Sequence, residues 1–174
     1  MRALVISADG FEDMELFYPV YRLKEDGWDV TLASPSDNTI TGKHGYTITP
    51  DITVANVVPE DYDLLVIPGG KAPEVVRSDR DALALAGSFM DARKPVAAIC
   101  HGPQVLISAG VMKGRRATCW ESVKDELVAA GARYTDNEVV LDGNLVTSRM
   151  PDDLPAFMRE TLKLANKSSR RMAA

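Results

Sequence analysis

The chain has 174 residues, 45% of them hydrophobic and 26% charged, with a formal net charge of −5 at pH 7. That length suits one domain over residues 1–174, and the acidic balance argues against a nucleic-acid partner. Two cysteines without a CxxC or a His-rich cluster exclude a disulfide framework and predict no metal site. No apolar run is long enough for a signal peptide or a membrane span, so the expected location is the cytoplasm, with reduced thiols.

Residues 3–7, closed by Asp9-Gly10, predict a buried parallel strand. Met14, Phe17, Tyr18 and Tyr21 then fall at i, i+3, i+4 and i+7, one face of a helix in which Pro19 predicts a kink. Gly27 stops that helix, residues 29–33 give a second strand, and a polar stretch over 34–45 leads into the alternating Tyr46-Thr47-Ile48-Thr49 of an edge hairpin. A third buried strand over 63–67 closes on Pro68-Gly69-Gly70, and Ala82, Leu85, Ala86 and Phe89 mark a second helix. The fourth buried strand, 95–99, runs through Cys100-His101 into a helix over 103–109. A helix over 121–130 precedes a hairpin of 139–141 and 145–147 around Asp142-Gly143-Asn144. Asp152 is placed to cap a last helix with Leu154, Phe157, Met158 and Leu162 on one face, and residues 167–171 read as a frayed basic end. Strands alternating with helices predict a doubly wound α/β fold, a mostly parallel sheet between helices.

In such sheets ligands collect beyond the carboxyl ends of the strands, where Glu12, Gly69-Gly70, Cys100-His101 and Arg149 all fall. Cys100 sits where a strand gives way to a helix, so unpaired N–H groups and the helix dipole are expected to lower its pKa and favour the nucleophilic thiolate. The turn has the character of a nucleophile elbow. His101 is a candidate base, although adjacent side chains in a turn diverge, so a third group is needed to aim its ring. Glu12 is either a protonated donor to the sulfur or a carboxylate stabilising a helix start. Gly70 and the residue after the nucleophile, His101, are candidate sources of oxyanion N–H groups; Pro-Gly-Gly is otherwise a turn. His44, on a polar loop, is structural or close to substrate, and Cys119 is expected to be buried and unreactive.

The stretches "DGFEDMEL", "GKHGY", "VIPGGKAPEVVR", "AICHGPQVLISAGVMKGRRAT" and "LVTSRMPDDLPAFMRE", in this order, closely resemble the PfpI family of the DJ/PfpI superfamily, related to class I glutamine amidotransferase domains. The resemblance implies a flavodoxin-like layout with Cys100 as nucleophile, His101 as its catalytic partner, Glu12 as the carboxyl hydrogen-bonded to the thiol, and Gly70 as an oxyanion donor. Glu74 matches a glutamate lent to a neighbouring subunit's histidine, which implies a homodimer or a hexamer built as a trimer of dimers. Trp120 stands where close relatives often carry Tyr, which bears on substrate preference. The implied activities are glyoxalase, deglycase on methylglyoxal or glyoxal adducts, or cysteine peptidase on small peptides, none needing a cofactor. The alternative is a redox-sensing stress protein or chaperone that oxidises the same Cys100. A glutaminase is disfavoured because no histidine follows His101.

Overall fold

The computed structural model describes residues 1–172. In chain order, β1 (Arg2–Ile6), α1 (Asp13–Glu25) and β2 (Asp29–Ser34) lead to the short strands β3 (Ile40–Thr41), β4 (Thr47–Ile48) and β5 (Ile52–Thr53). The middle comprises β6 (Leu64–Ile67), α2 (Ala72–Val76), α3 (Arg80–Asp91), β7 (Val96–Ile99) and α4 (Pro103–Ser108). β8 (Arg116–Ala117), α5 (Lys124–Ala129), β9 (Arg133–Tyr134), β10 (Val139–Asp142), β11 (Leu145–Ser148) and α6 (Leu154–Met172) follow.

The apolar runs LLVI and VAAI of β6 and β7 carry no polar residue, so both faces must be covered. They lie inside a seven-stranded sheet of order β10-β11-β7-β6-β1-β2-β5, with every neighbouring pair parallel except β10–β11. α1 packs with α6, whereas α2, α3 and α5 pack with α4, giving the helical layers that flank the sheet. From β1 the chain first goes to β2 on one side and later returns to β6 on the other, so the crevice between β1 and β6 is a topological switch point. There the loop after β1 meets the loop after β6 through an isolated antiparallel bridge, Phe11 to Gly70.

The doubly wound reading holds, with local corrections. α1 buries Leu16, Pro19, Val20 and Leu23, together with Asp13 and Glu15 in its first turn, and not the Met14-Tyr21 face. Met14 and Tyr21 are 57% and 64% exposed. Burying Tyr18 and Tyr21 would take two phenolic hydroxyls from water, whereas the Leu-Val face carries no such cost. Pro19 does not interrupt the helix, which runs on to Glu25.

β3 and β4 form their own antiparallel pair and not an edge of the main sheet; that edge is β5. The expected helix over 121–130 is divided into a 3-10 turn, Glu121–Val123, and α5. Asp152 does not cap α6: a 3-10 turn over Pro151–Asp153 precedes it, and the engaged carboxylate is Asp153, bonded to Arg149. The backbone over residues 167–171 continues α6 and is not frayed.

Candidate active site

The elbow is built by the end of β7. Cys100 takes φ 61°, a left-handed conformation costly for any residue with a Cβ. Its N–H donates to the Ser148 carbonyl of the neighbouring strand at 3.0 Å, and the Gly102 N–H returns to Ile99 at 2.8 Å. These bonds hold the strained residue so that its side chain stands over the carboxyl end of the sheet. Pro103, at the start of α4, needs no N–H partner there. α4 has only six residues, so individual N–H groups matter more here than a helix dipole.

Glycine is required opposite the sulfur. A Cβ on Gly69 would stand 2.7 Å from the Cys100 Cβ and 2.9 Å from the His101 nitrogen. Gly70 has φ 78°, which turns its N–H toward Cys100 Sγ. The His101 N–H points to the same sulfur, so the two expected amide donors do converge on the thiol.

The carboxyl beside the sulfur is Glu15, not Glu12. Glu15 is fully buried, accepts the Gly69 N–H at 2.8 Å and is hydrogen-bonded to Cys100. Burial raises its pKa from 4.5 to about 8, against the pull of the Gly69 N–H. Burial, followed by the Glu15 charge, also pushes the Cys100 thiol up, while the N–H groups of Gly70 and His101 act the other way. The expected depressed thiol pKa is thereby overturned, because desolvation outweighs the donors. Below pH 8 Glu15 holds its own proton, loses its charge against the sulfur and can donate an O–H to it.

Glu12 is the residue before α1 and turns away, toward the loop joining β3 to β4. Its oxygens lie 3.5 Å from Lys43 Nζ and 3.3 Å from His44 Nε2. Asp13 anchors that loop by accepting the N–H groups of His44 at 2.8 Å and Tyr46 at 3.2 Å. Ligand atoms of Glu12, Asp13 and His44 lie within 4.8 Å of one another, a spacing open to a metal ion. However, the Asp13 oxygens are already taken by N–H groups and the Lys43 ammonium stands at Glu12, so the cluster fits an ion-paired loop anchor better than a metal site.

His101 is half-buried, with Nδ1 3.3 Å from Cys100 Sγ and Nε2 3.4 Å from Ser122 Oγ. Burial lowers its pKa, opposed by the charge of Glu74 and reinforced by that of Lys43, so the ring is neutral at pH 7. Glu74 is exposed on α2 and acts on this ring through space. Trp120 lies with its ring 6.4 Å from that of His101 and borders a 350 Å3 cavity also lined by Cys119, Tyr134, Asp136 and Arg149.

Cys119 is 1% exposed, and burial, with the Glu126 charge, raises its thiol to about 12. Arg149 reaches the strand ends as expected but is spent on Asp136 and Asp153. A larger cavity of 860 Å3, lined by Met90, Pro95, Asn144 and Lys163 among others, lies at the opposite end of the strands, away from this chemistry. Sequence reasoning missed Glu15, Lys43 and Ser122. Only Glu15 left a signal, since it precedes the buried stripe of Leu16, Val20 and Leu23.

The DJ-1/PfpI family model matches residues 1–164. The deglycase PfpI of Pyrococcus furiosus is 52% identical over 164 residues, covering 94% of this chain and 99% of that protein. The protein/nucleic acid deglycase 2 of Escherichia coli is 42% identical, over 92% of this chain and 95% of its own. Among solved structures, DJ-1beta of Drosophila melanogaster superposes with a TM-score of 0.87 at 30% identity, over 99% of this chain and 97% of that one. With the family model matching residues 1–164 and relatives this similar over nearly their whole length, the chain belongs to the DJ-1/PfpI family.

Proposed function

We propose that this protein is a cysteine-dependent enzyme acting on reactive carbonyls, a deglycase or glyoxalase for methylglyoxal or glyoxal adducts. One observation carries the reading: Cys100 Sγ is faced at once by two backbone N–H groups, a buried protonatable carboxyl and a neutral imidazole. The deglycase names of relatives 52% and 42% identical support it.

The neutral His101 Nδ1 takes the thiol proton, and Glu15, protonated below pH 8, supplies an O–H to the thiolate. Attack of Sγ on the aldehyde carbon gives a thiohemiacetal, whose oxygen receives a proton from His101. Proton transfer from that carbon to the neighbouring carbonyl oxygen gives an enediol. Transfer of the hydroxyl proton of the sulfur-bearing carbon to the other carbon then gives a 2-hydroxy thioester, and water releases the hydroxy acid and the free thiol. No electron leaves or enters. In an adduct, the amine or thiol carrying the carbonyl compound is the leaving group. Gly70 and His101 N–H groups serve the sulfur first and the developing oxyanion as it forms beside them. Trp120 forms a wall toward the neighbouring cavity, which favours small substrates.

Glu74, exposed on α2, already lays its charge on the His101 of its own chain, and in a homo-oligomer it is read as adding to a neighbouring copy's His101 as well. Mixing inactive Cys100→Ala and Glu74→Ala proteins under subunit exchange should restore part of the activity. The functional test is a panel of methylglyoxal, glyoxal, glycated thiols and fluorogenic peptides, assayed with wild type and Cys100→Ala. Turnover of carbonyls or adducts that vanishes in the variant is expected. Turnover of peptides alone would replace this reading with a peptidase. If nothing is turned over but Cys100 is converted to sulfinic acid under mild peroxide, a redox sensor takes its place.

A further inference from the structure

The segment that follows β8 crosses directly over the nucleophile. The Trp120 N–H donates to the carbonyl of Cys100 itself at 3.0 Å, and the Val123 N–H closes a 3-10 turn on the Trp120 carbonyl at 2.9 Å. These two bonds fix the turn relative to the elbow and bring Ser122 Oγ to 3.4 Å from His101 Nε2, while Nδ1 of the same ring faces Cys100 Sγ at 3.3 Å. A serine hydroxyl and a thiol can each donate or accept, so the tautomer of His101 follows from what each nitrogen must do in the reaction. For His101 to take the thiol proton at Nδ1, its resting proton must sit on Nε2 and must have an acceptor there.

Resting on the nucleophilic role proposed for Cys100, we infer that Ser122 is a positioning residue, its hydroxyl oxygen accepting from His101 Nε2–H and so holding the tautomer whose Nδ1 lone pair points at the sulfur. The serine continues to accept once Nδ1 gains the proton, and thus stabilises the imidazolium beside the thiolate. The orienting group sought in the sequence is thereby supplied within one chain; the charge of Glu74 then adds to an orientation that Ser122 has set. The other groups that bear on His101 are Cys100 beside it, Glu74 on α2 and Lys43 on the loop joining β3 to β4, with Trp120 stacked at an angle.

The test compares wild type with Ser122→Ala, Ser122→Thr and Glu74→Gln by two readouts that need no substrate. One is the tautomer of His101, from long-range 1H–15N correlations of the imidazole. The other is the rate of Cys100 alkylation by iodoacetamide against pH. The wild type should show the Nε2–H form. Ser122→Ala should mix the tautomers, slow alkylation by about fivefold to tenfold near pH 7, the worth of one hydrogen bond, and move the acidic limb of the profile to lower pH as the imidazolium loses its acceptor. Ser122→Thr should restore both. Ser122 lies on an exposed 3-10 turn, so folding of each variant is checked by circular dichroism. An unchanged tautomer and profile in Ser122→Ala overturns the inference. So does a change confined to Glu74→Gln, which would place the orienting group on α2. Failure of the carbonyl panel alone removes the proposed substrates and leaves this result standing.

Discussion

Glu12 and Glu15 stand three residues apart at the start of the same helix, and the fold gives them opposite lives. Glu12, also buried, is turned toward the loop that carries Lys43 and His44, with the exposed Lys43 ammonium 3.5 Å from its carboxyl. Glu15, on the helix face shared with Leu16 and Leu23, is drawn under the Gly69-Gly70 turn, where burial forces it to keep its proton. The difference is one of helical phase: the two residues point about 60° apart round the axis (three steps of a 3.6-residue turn), and only one direction leads to the sulfur. A carboxyl becomes chemically useful here by being taken from water beside a thiol, not by being close to it in sequence.

The strongest way to break this contrast is to remove each acid in turn. Glu15→Gln keeps an acceptor for the Gly69 N–H but cannot exchange a proton with the sulfur, and should lower kcat/KM for a carbonyl substrate by about 100-fold, as loss of a general acid does. Glu12→Gln, which breaks the pair with the exposed Lys43 and leaves the partners of the sulfur in place, should stay within about threefold of wild type. Equal losses, or a larger loss for Glu12→Gln, would return the thiol's partner to Glu12.

Stability sharpens it next. A carboxyl raised from 4.5 to about 8 binds its proton more tightly in the native state, so its stabilisation is fully present below pH 4.5 and is lost as pH rises through 8. Relative to Glu15→Gln, wild type should lose about 5 kcal/mol across that window, an upper figure given relaxation of the site. Urea unfolding at a series of pH values measures it. A difference that does not vary with pH would show that Glu15 titrates normally.

The smallest expected effect comes from Lys43, which bridges the two regions: it pairs with Glu12 while its charge lowers the pKa of both Glu15 and His101. Lys43→Met should therefore move the acidic limb of the Cys100 alkylation profile to higher pH, because His101 then keeps its proton longer. A limb that stays in place would confine Lys43 to the loop.

Much of this site was legible in the sequence because the elbow declares itself locally. A buried VAAI strand, a Cys-His pair and a following Gly-Pro leave few alternatives, and Gly69-Gly70 marks the matching turn after β6. α1 was not legible in the same way. Its aromatic residues mimic a buried face, whereas the face that is buried runs through Glu15, Leu16, Pro19, Val20 and Leu23. Glu12 is assigned to the sulfur in the sequence only by its place after β1 and by the family resemblance. Ser122 depends on backbone bonds between residues 120 and 100, a tertiary contact with no trace in local pattern. The thiol's pKa was misread for a related reason: donors and helix ends can be inferred from a turn, but the desolvation that outweighs them comes from the packed surroundings.

The central claim, that Glu15 is the protonated carboxyl beside Cys100, is tested most directly by titrating its side-chain carboxyl with 13C NMR in protein labelled at glutamate. Glu12→Gln and Glu15→Gln serve for assignment. One resonance should titrate near pH 8, persist in Glu12→Gln, vanish in Glu15→Gln and shift when Cys100 is alkylated. A Glu15 resonance that titrates near the ordinary 4.5, or a high-pH resonance that vanishes with Glu12 instead, would contradict it.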